Sequence, residues 1–337
     1  MRRSATHVHI LLLMAIILPA AIGAQENEGG NEFITFTFEN DFFVGEDNGY
    51  TNGMGLSFSK GPYRKFSRDN LPEWLFSLTS NLYINTMENK QRGVSHSFFQ
   101  VMQTPEDIST SDLIPNDLPY AGLLGWQGTL YAWDDEVADQ LALTLGAVGP
   151  VSLAEQSQSL IHELFEADDP RGWDNQIDNE VVIKLEMQRI WSLYRADGSG
   201  ERIDILGIGG AAIGNLESAA RLGIAIRWGS GLTSSFPAFS LQPDRQVNPL
   251  SMTPEDDYYL FLGLGIGHVF NNILIQGNSD GNSHSLPLRR QQDQISGGAV
   301  WSLGRNAFVF QISSVSSPTT ISDSRDLFGA LGFTRLF

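Results

Sequence analysis

No cysteine occurs among the 337 residues. Disulfides, thiolate nucleophiles and thiolate metal sites are therefore excluded, whatever the redox state of the compartment. Cations are also scarce. Lys and Arg total 21 against 39 Asp and Glu, a formal net charge of -18, which argues against a nucleic-acid partner because phosphate binding needs a basic surface. Such acidity suits divalent cations instead. Past residue 24 there is no run of about 18 uninterrupted apolar residues, so helical membrane spans are excluded and any membrane residence must be as a barrel. A Gly-x-Ser-x-Gly elbow, the histidine spacing of zinc proteases and a twelve-residue EF-hand loop are all missing. For a hydrolase, this leaves a water nucleophile rather than a covalent route.

The one marked apolar run stands at the N-terminus. Arg2 and Arg3 precede Ile10 to Leu18, and Ala21 to Ala24 supply small residues, the pattern of a secretory signal peptide cleaved near Gly23 or Ala24. The run is too short to anchor in a bilayer. Removing residues 1–24 takes away two arginines and no acid, moving the net charge from -18 to -20. Residues 25–337 then form a single domain.

Within that domain period-2 alternation is the dominant pattern. Ile34, Phe36 and Phe38 alternate with Thr35, Thr37 and Glu39, and the same register carries Asp41 to the polar side. Beyond Tyr50, Met54, Leu56 and Phe58 share one face, with Thr51, Gly53, Gly55, Ser57 and Ser59 on the other. Twelve strands are predicted at about 33–39, 51–59, 94–102, 124–133, 139–148, 179–192, 201–212, 218–229, 258–270, 294–303, 306–314 and 328–337. A soluble β-sandwich would show similar alternation. The signal peptide, the glycines on polar faces and the terminal Phe337, in phase with Phe333 and Leu331, favour an all-β, transmembrane antiparallel barrel of twelve strands. Arg335 interrupts that terminal apolar face. With both termini on the periplasmic side, loops after odd strands lie outside the cell, including 40–50, 103–123 and 149–178.

The 149–178 connection carries a predicted helix of about fourteen residues. Leu153, Leu160, Ile161, Leu164 and Phe165 fall on one side, and Glu155, Ser159, His162 and Glu166 on the other. His162 suits a general base, because imidazole titrates near neutrality and neighbouring acids can orient it. An ordinary surface histidine would look the same in sequence. His96, His268 and His284 lack a comparable polar neighbourhood. Acid clusters at Glu39-Asn40-Asp41, Glu46-Asp47-Asn48, Asp168-Asp169, Asp174, Asp178 and Glu180 offer the hard oxygen donors that calcium takes, and also fit a solvated polar rim.

Six motifs recur in a fixed order: Glu39-Asn40-Asp41, Tyr50-Thr51-Asn52-Gly53, Gln103-Thr104-Pro105, Asp117-Leu118-Pro119-Tyr120-Ala121-Gly122, Gly149-Pro150 followed by His162, and Gly172-Trp173-Asp174-Asn175-Gln176-Ile177-Asp178-Asn179-Glu180. Over nearly the whole mature length the chain resembles the outer-membrane lipid A 3′-O-deacylase family. The resemblance implies calcium-dependent hydrolysis of the 3′ acyloxyacyl ester of lipid A in the outer leaflet of the bacterial outer membrane. It further implies Asp41 as calcium ligand, His162 as the base that activates water, Asn40 and Thr51 beside the ester, and Asp168 at the position of the family acid six residues beyond the histidine. Where the family carries a basic pair after strand 3, this chain reads Thr104-Pro105-Glu106-Asp107-Ile108, and Arg171 is the substitute cation within the outer loops. The alternatives are an esterase for another envelope lipid, a passive pore, and a barrel whose acidic loops bind cations or a partner. The oligomeric state is open.

Overall fold

A computed structural model describes residues 30–40, 52–165, 169–197, 202–230, 232 and 256–337. The predicted signal peptide lies outside the described residues. Twelve antiparallel strands close on themselves, β1 pairing with both β2 and β12. They are β1 Asn31–Asn40, β2 Asn52–Tyr63, β3 Gln91–Gln103, β4 Ala121–Trp133, β5 Val137–Val148, β6 Glu180–Asp197, β7 Arg202–Gly214, β8 Glu217–Gly229, β9 Tyr258–Asn272, β10 Gln291–Leu303, β11 Asn306–Ser316 and β12 Arg325–Leu336. Among the described residues four short helices, α1 Glu73–Thr79, α2 Tyr83–Thr86, α3 Ala154–Phe165 and α4 Ile273–Gln276, sit in the connections. No described helix is long and apolar enough to cross a membrane.

Closure removes every sheet edge, so all backbone polar groups of the wall pair within it. The alternation then sorts side chains. Phe36, Leu56, Phe98, Leu145, Ile183, Leu222, Leu262 and Leu331 are exposed on the outer face, while Thr35, Thr37, Ser57, Ser97, Thr144 and Lys184 are buried inside. Hydroxyl pairs bridge neighbouring strands across the lumen: Thr35 with Thr334 at 2.7 Å, Ser57 with Ser97 at 2.8 Å, Ser59 with Ser95 at 2.8 Å and Ser296 with Ser313 at 2.8 Å. Each satisfies buried polar atoms that would otherwise carry a desolvation penalty.

The lumen is less uniformly polar than the alternation implies. At the end holding both termini, Phe33, Tyr131, Ile190, Leu206, Tyr259, Phe261 and Val309 form an apolar plug joined by Leu232. Beside it Arg227 and Asp204, both fully buried, pair through Nε to Oδ1 at 2.9 Å, and Arg227 also donates to the Leu232 carbonyl at 2.8 Å. At the other end Val101, Leu123, Val148 and Val182 point inward and meet Ile177, Leu216 and Ile273 from the connections. Between the plugs are cavities of about 180 and 80 Å³. Twelve strands leave room for side chains but not a wide channel, and these clusters fill it at both ends.

Residues 64–90, which connect β2 to β3, fold back on the outside of the wall. A bulge between Lys60 and Tyr63 breaks the alternation of β2, and Tyr63 packs with Phe66, Leu71 and Ile84 onto Val94, Leu130 and Ala132. Arg92 of β3 fastens the segment, its guanidinium donating to the carbonyls of Arg64 at 2.7 Å, Lys90 at 2.9 Å, Asn85 at 3.2 Å and Met87. Tight turns at 134–136 and 304–305 share this end with both ends of the barrel sheet, the side that faces the periplasm in such barrels.

Candidate active site

α3 sits on the outside of the wall at the loop end. On β3 and β4 the even-numbered residues face out, as exposed Phe98 and Leu124 show. Met102 and Gly122 therefore face out too, and they are paired across the ladder. Met102 is nonetheless buried, because Tyr120, Ala154 and Trp173 cover it. A methyl group on Gly122 would lie 2.0 Å from Ser152 Oγ and 2.5 Å from Ala154 Cβ, so only glycine lets the chain approach so closely. Gln100, also outward, donates from Nε2 to the Ser152 carbonyl at 2.6 Å.

A one-turn 3-10 helix, Pro150–Ser152, leads to Leu153, whose φ of 59° reverses the chain into α3. Ala154 and Gln158 are buried against the wall, one helical turn apart. Gln158 Oε1 accepts from Trp173 Nε1 at 2.8 Å, and the Trp173 ring packs on Tyr120 at 4.9 Å between centroids. His162, one further turn along, is half-buried on the flank of that packed stripe. This corrects the expected facing of the helix. Leu153 and Leu160, assigned to the packed side, are exposed, because the small Ala154 and the hydrogen-bonded Gln158 fit a wall approached this closely. His162 consequently does not stand on the solvent side.

The sequence motifs converge on the cradle of α3. Gly149 donates from N to the Gly122 carbonyl at 2.9 Å, and Ile177 N to the Tyr120 carbonyl at 3.0 Å. Val151 N donates to Asn179 Oδ1 at 2.8 Å, and Gln103 Nε2 to the Pro119 carbonyl at 3.1 Å. Burial raises the Tyr120 phenol above its ordinary pKa, with Asp107 and Asp117 adding to the effect. In the 104–108 stretch acids hold the loop: Asp117 Oδ2 accepts from Glu106 N at 2.9 Å, and Asp107 is kept below the usual carboxylate range by the Ser109 hydroxyl and amide. Arg171, exposed, lies against this stretch, its backbone N–H donating to the Ile108 carbonyl at 2.9 Å.

Of the remaining expected site residues, Asn40 is the last of β1. Glu39 is buried and faces inward beside the smaller cavity, so the alternation turns Asn40 to the outer face. Asp41, Thr51 and Asp168 lie outside the described residues. Glu180 serves the cradle, accepting from Ser279 N at 2.8 Å and Asn215 Nδ2 at 3.3 Å. Among the described residues no group of three or more His, Asp or Glu is placed to hold a metal. The cavities of the lumen are not lined by His162. Tyr120, Gly122, Gln158 and Trp173 escaped the sequence reading as supports of the site, although three of them stand inside the quoted motifs.

A family model described as outer membrane protein LpxR matches residues 9–337. The chain belongs to the LpxR family. LpxR from Salmonella typhimurium superposes with a TM-score of 0.76 at 15% identity, over 90% of this chain and 100% of that one. The β domain of the Bordetella autotransporter BrkA gives a TM-score of 0.45 at 10% identity, covering 92% and 99% of the two chains. The KdgM porin gives 0.37 at 7% identity, covering 90% and 99%. No curated protein sequence matches. Membership in the LpxR family makes the chain an outer-membrane protein, and the Salmonella LpxR barrel shares its fold.

Proposed function

We propose that the chain is a lipid A deacylase that hydrolyses the 3′ acyloxyacyl ester with water activated by His162. The observation that carries this reading is the side of the wall on which α3 lies. A lipid in the outer leaflet meets the outside of a barrel, and a helix pressed against that outside by Gly122 and Met102 brings its histidine to the lipid. Register supports Asn40 as a partner. Glu39 pairs with Gly53, Gly53 with Val101 and Val101 with Leu123, so Asn40 belongs to the next rung, which also holds Met102 and Gly122. Three strand spacings from β4 to β1 span about 14 Å, and Ala154 to His162 advances about 12 Å along a helix. α3 packs on β4 and β3, so a course across the strands toward β1 brings His162 to Asn40.

In this scheme His162 takes a proton from water as the oxygen attacks the ester carbonyl carbon. The tetrahedral intermediate collapses with cleavage of the bond to the sugar oxygen, and the imidazolium returns its proton to that oxygen. The products are a free acyloxyacyl carboxylic acid and the 3′ hydroxyl. The Asn40 amide and Thr51 hydroxyl hydrogen-bond the ester, and Asp168 orients the imidazole. Asp41, an oxygen donor of the kind calcium takes, would hold the ion, and calcium bound there would polarise the ester carbonyl. Arg171 supplies a cation for a lipid A phosphate beside the acid-rich 104–108 stretch.

Mass spectrometry of lipid A from cells expressing the chain tests the reading. Loss of the acyloxyacyl group with the parent sequence, and its retention with His162→Ala and Asp41→Ala, is the expected result. Unchanged lipid A from a correctly inserted barrel supplied with calcium would refute the substrate and shift weight to another envelope lipid.

A further inference from the structure

The connection between β2 and β3 carries an exposed surface that the proposed reaction leaves unused. Trp74, Leu78, Leu82 and Tyr83 are exposed on it, Leu78 at 70%. The segment is nevertheless fixed in place by the Arg92 guanidinium and by its packing onto Val94 and Leu130. It is thus a held apolar surface rather than a loop tip, and it is continuous with the outer face of the barrel: the Trp74 ring lies 6.4 Å from Trp126, an outward residue of β4 beside exposed Phe98. Polarity changes with height. Arg64 and Lys65 follow directly on the periplasmic end of β2, are exposed, and make no ion pair among the described residues. Arg68, also exposed, reaches Glu73 at 3.5 Å and lies over the Phe76 ring at 5.8 Å. Trp74 stands farther along the wall, against a residue seven positions from Trp133, the periplasmic end of β4.

We infer that residues 64–90 lie in the periplasmic leaflet and bind anionic glycerophospholipids, with Arg64 and Lys65 on the phosphates and Trp74, Leu78 and Leu82 among the glycerol and upper acyl groups. Cations at the rim with aromatic and aliphatic side chains above them reproduce the polarity order of a leaflet. Two cations side by side, without an ion pair among the described residues, in a chain of net charge -18 select anionic headgroups locally against the general field of the protein.

Because the chain has no cysteine, Leu78→Cys gives a unique attachment point for an environment-sensitive fluorophore. The full mature chain is placed in nanodiscs of phosphatidylethanolamine and phosphatidylglycerol, with Trp74→Cys as a second labelled position should the first fail to fold. Expected are blue-shifted emission, strong quenching by lipids spin-labelled near the carbonyls and little quenching by aqueous iodide. In the same discs the enrichment of phosphatidylglycerol around the protein falls about fivefold for each cation removed in Arg64→Gln and Lys65→Gln. Iodide quenching as strong as at a loop-end Ser279→Cys control would overturn the inference and make the segment a periplasmic loop. Protection that appears only with two copies per disc would overturn it in favour of a dimer contact. Unchanged lipid enrichment in the Gln variants would overturn the anionic assignment.

Discussion

Gly122→Ala acts directly on the seat of the helix against the barrel. The added methyl carbon would stand 2.0 Å from Ser152 Oγ and 2.5 Å from Ala154 Cβ, where ordinary contacts begin near 3.4 Å. Ser152 or its carbonyl bond to Gln100 must yield, and Ala154 must retreat by about 1 Å, since the β4 backbone is locked between β3 and β5. With His162 as the proposed base, a displacement of about 1 Å from alignment with water and ester costs about a hundredfold in rate, or about 2.7 kcal/mol in the barrier. Overpacking adds about 1–3 kcal/mol of local strain, which is relieved outward into the helix. The assay is the rate of acyl release from purified lipopolysaccharide by refolded protein, with the gel shift of the unheated barrel as the measure of wall integrity. Gly55→Ala is the control, because its nearest neighbours stand at 3.8 Å. A Gly122→Ala protein with the parent rate would refute the close seating of α3 as the source of the site's geometry. Loss of the folded-barrel band would refute the independence of wall and helix.

Further outcomes follow from other contacts. Trp173→Phe removes the Nε1 donor to Gln158 and leaves a buried amide oxygen unpaired, so acyl release drops while the barrel's urea midpoint stays within error; the cost at the helix is about 1–3 kcal/mol. Asp204→Ala strands the fully buried Arg227 and lowers barrel stability by about 3–5 kcal/mol in urea unfolding, with a smaller loss for the double change to apolar residues. At Asp134 burial is outweighed by bonds from Lys90, Val137 and Glu136, which hold the carboxyl below its usual value. Its contribution is therefore present above the unfolded pKa near 3.9 and is lost as pH falls through the lower folded value. Asp134→Asn should accordingly flatten the acid limb of the stability profile below about pH 4 and leave pH 7 kinetics alone. Chelation of calcium abolishes acyl release, and readdition restores it, if Asp41 holds the ion as proposed.

All twelve strands were legible because each has one lipid-facing and one inward-facing side, which writes a period of two into the sequence. Their ends were less so. β2 runs on to Tyr63 and β6 to Asp197, past bulges at Lys60/Tyr63 and Ser192/Tyr194 that break the alternation. α3 was legible as a helix, but its facing was not. Periodicity sets Leu160 against the wall, yet the wall takes Ala154 and Gln158, since the approach allowed by Gly122 has no room for leucine. The apolar plugs and the outer seat of residues 64–90 depend on contacts between residues far apart in sequence, such as Arg92 with Arg64 and Arg227 with Asp204. No local pattern encodes those.

Along the loop end of β1 one strand serves two unrelated compartments. Glu39 belongs to the sealed lumen, and its successor Asn40 faces the lipid side. A saturation scan from Thr35 to Asn40, within β1, should return an interleaved pattern, with odd positions reporting on assembly and Asn40 on turnover. The lumen is then free to be redesigned for stiffness, or refilled with other side chains, without consulting the chemistry outside. On the proposed reading the barrel is a post whose surface works and whose interior bears weight.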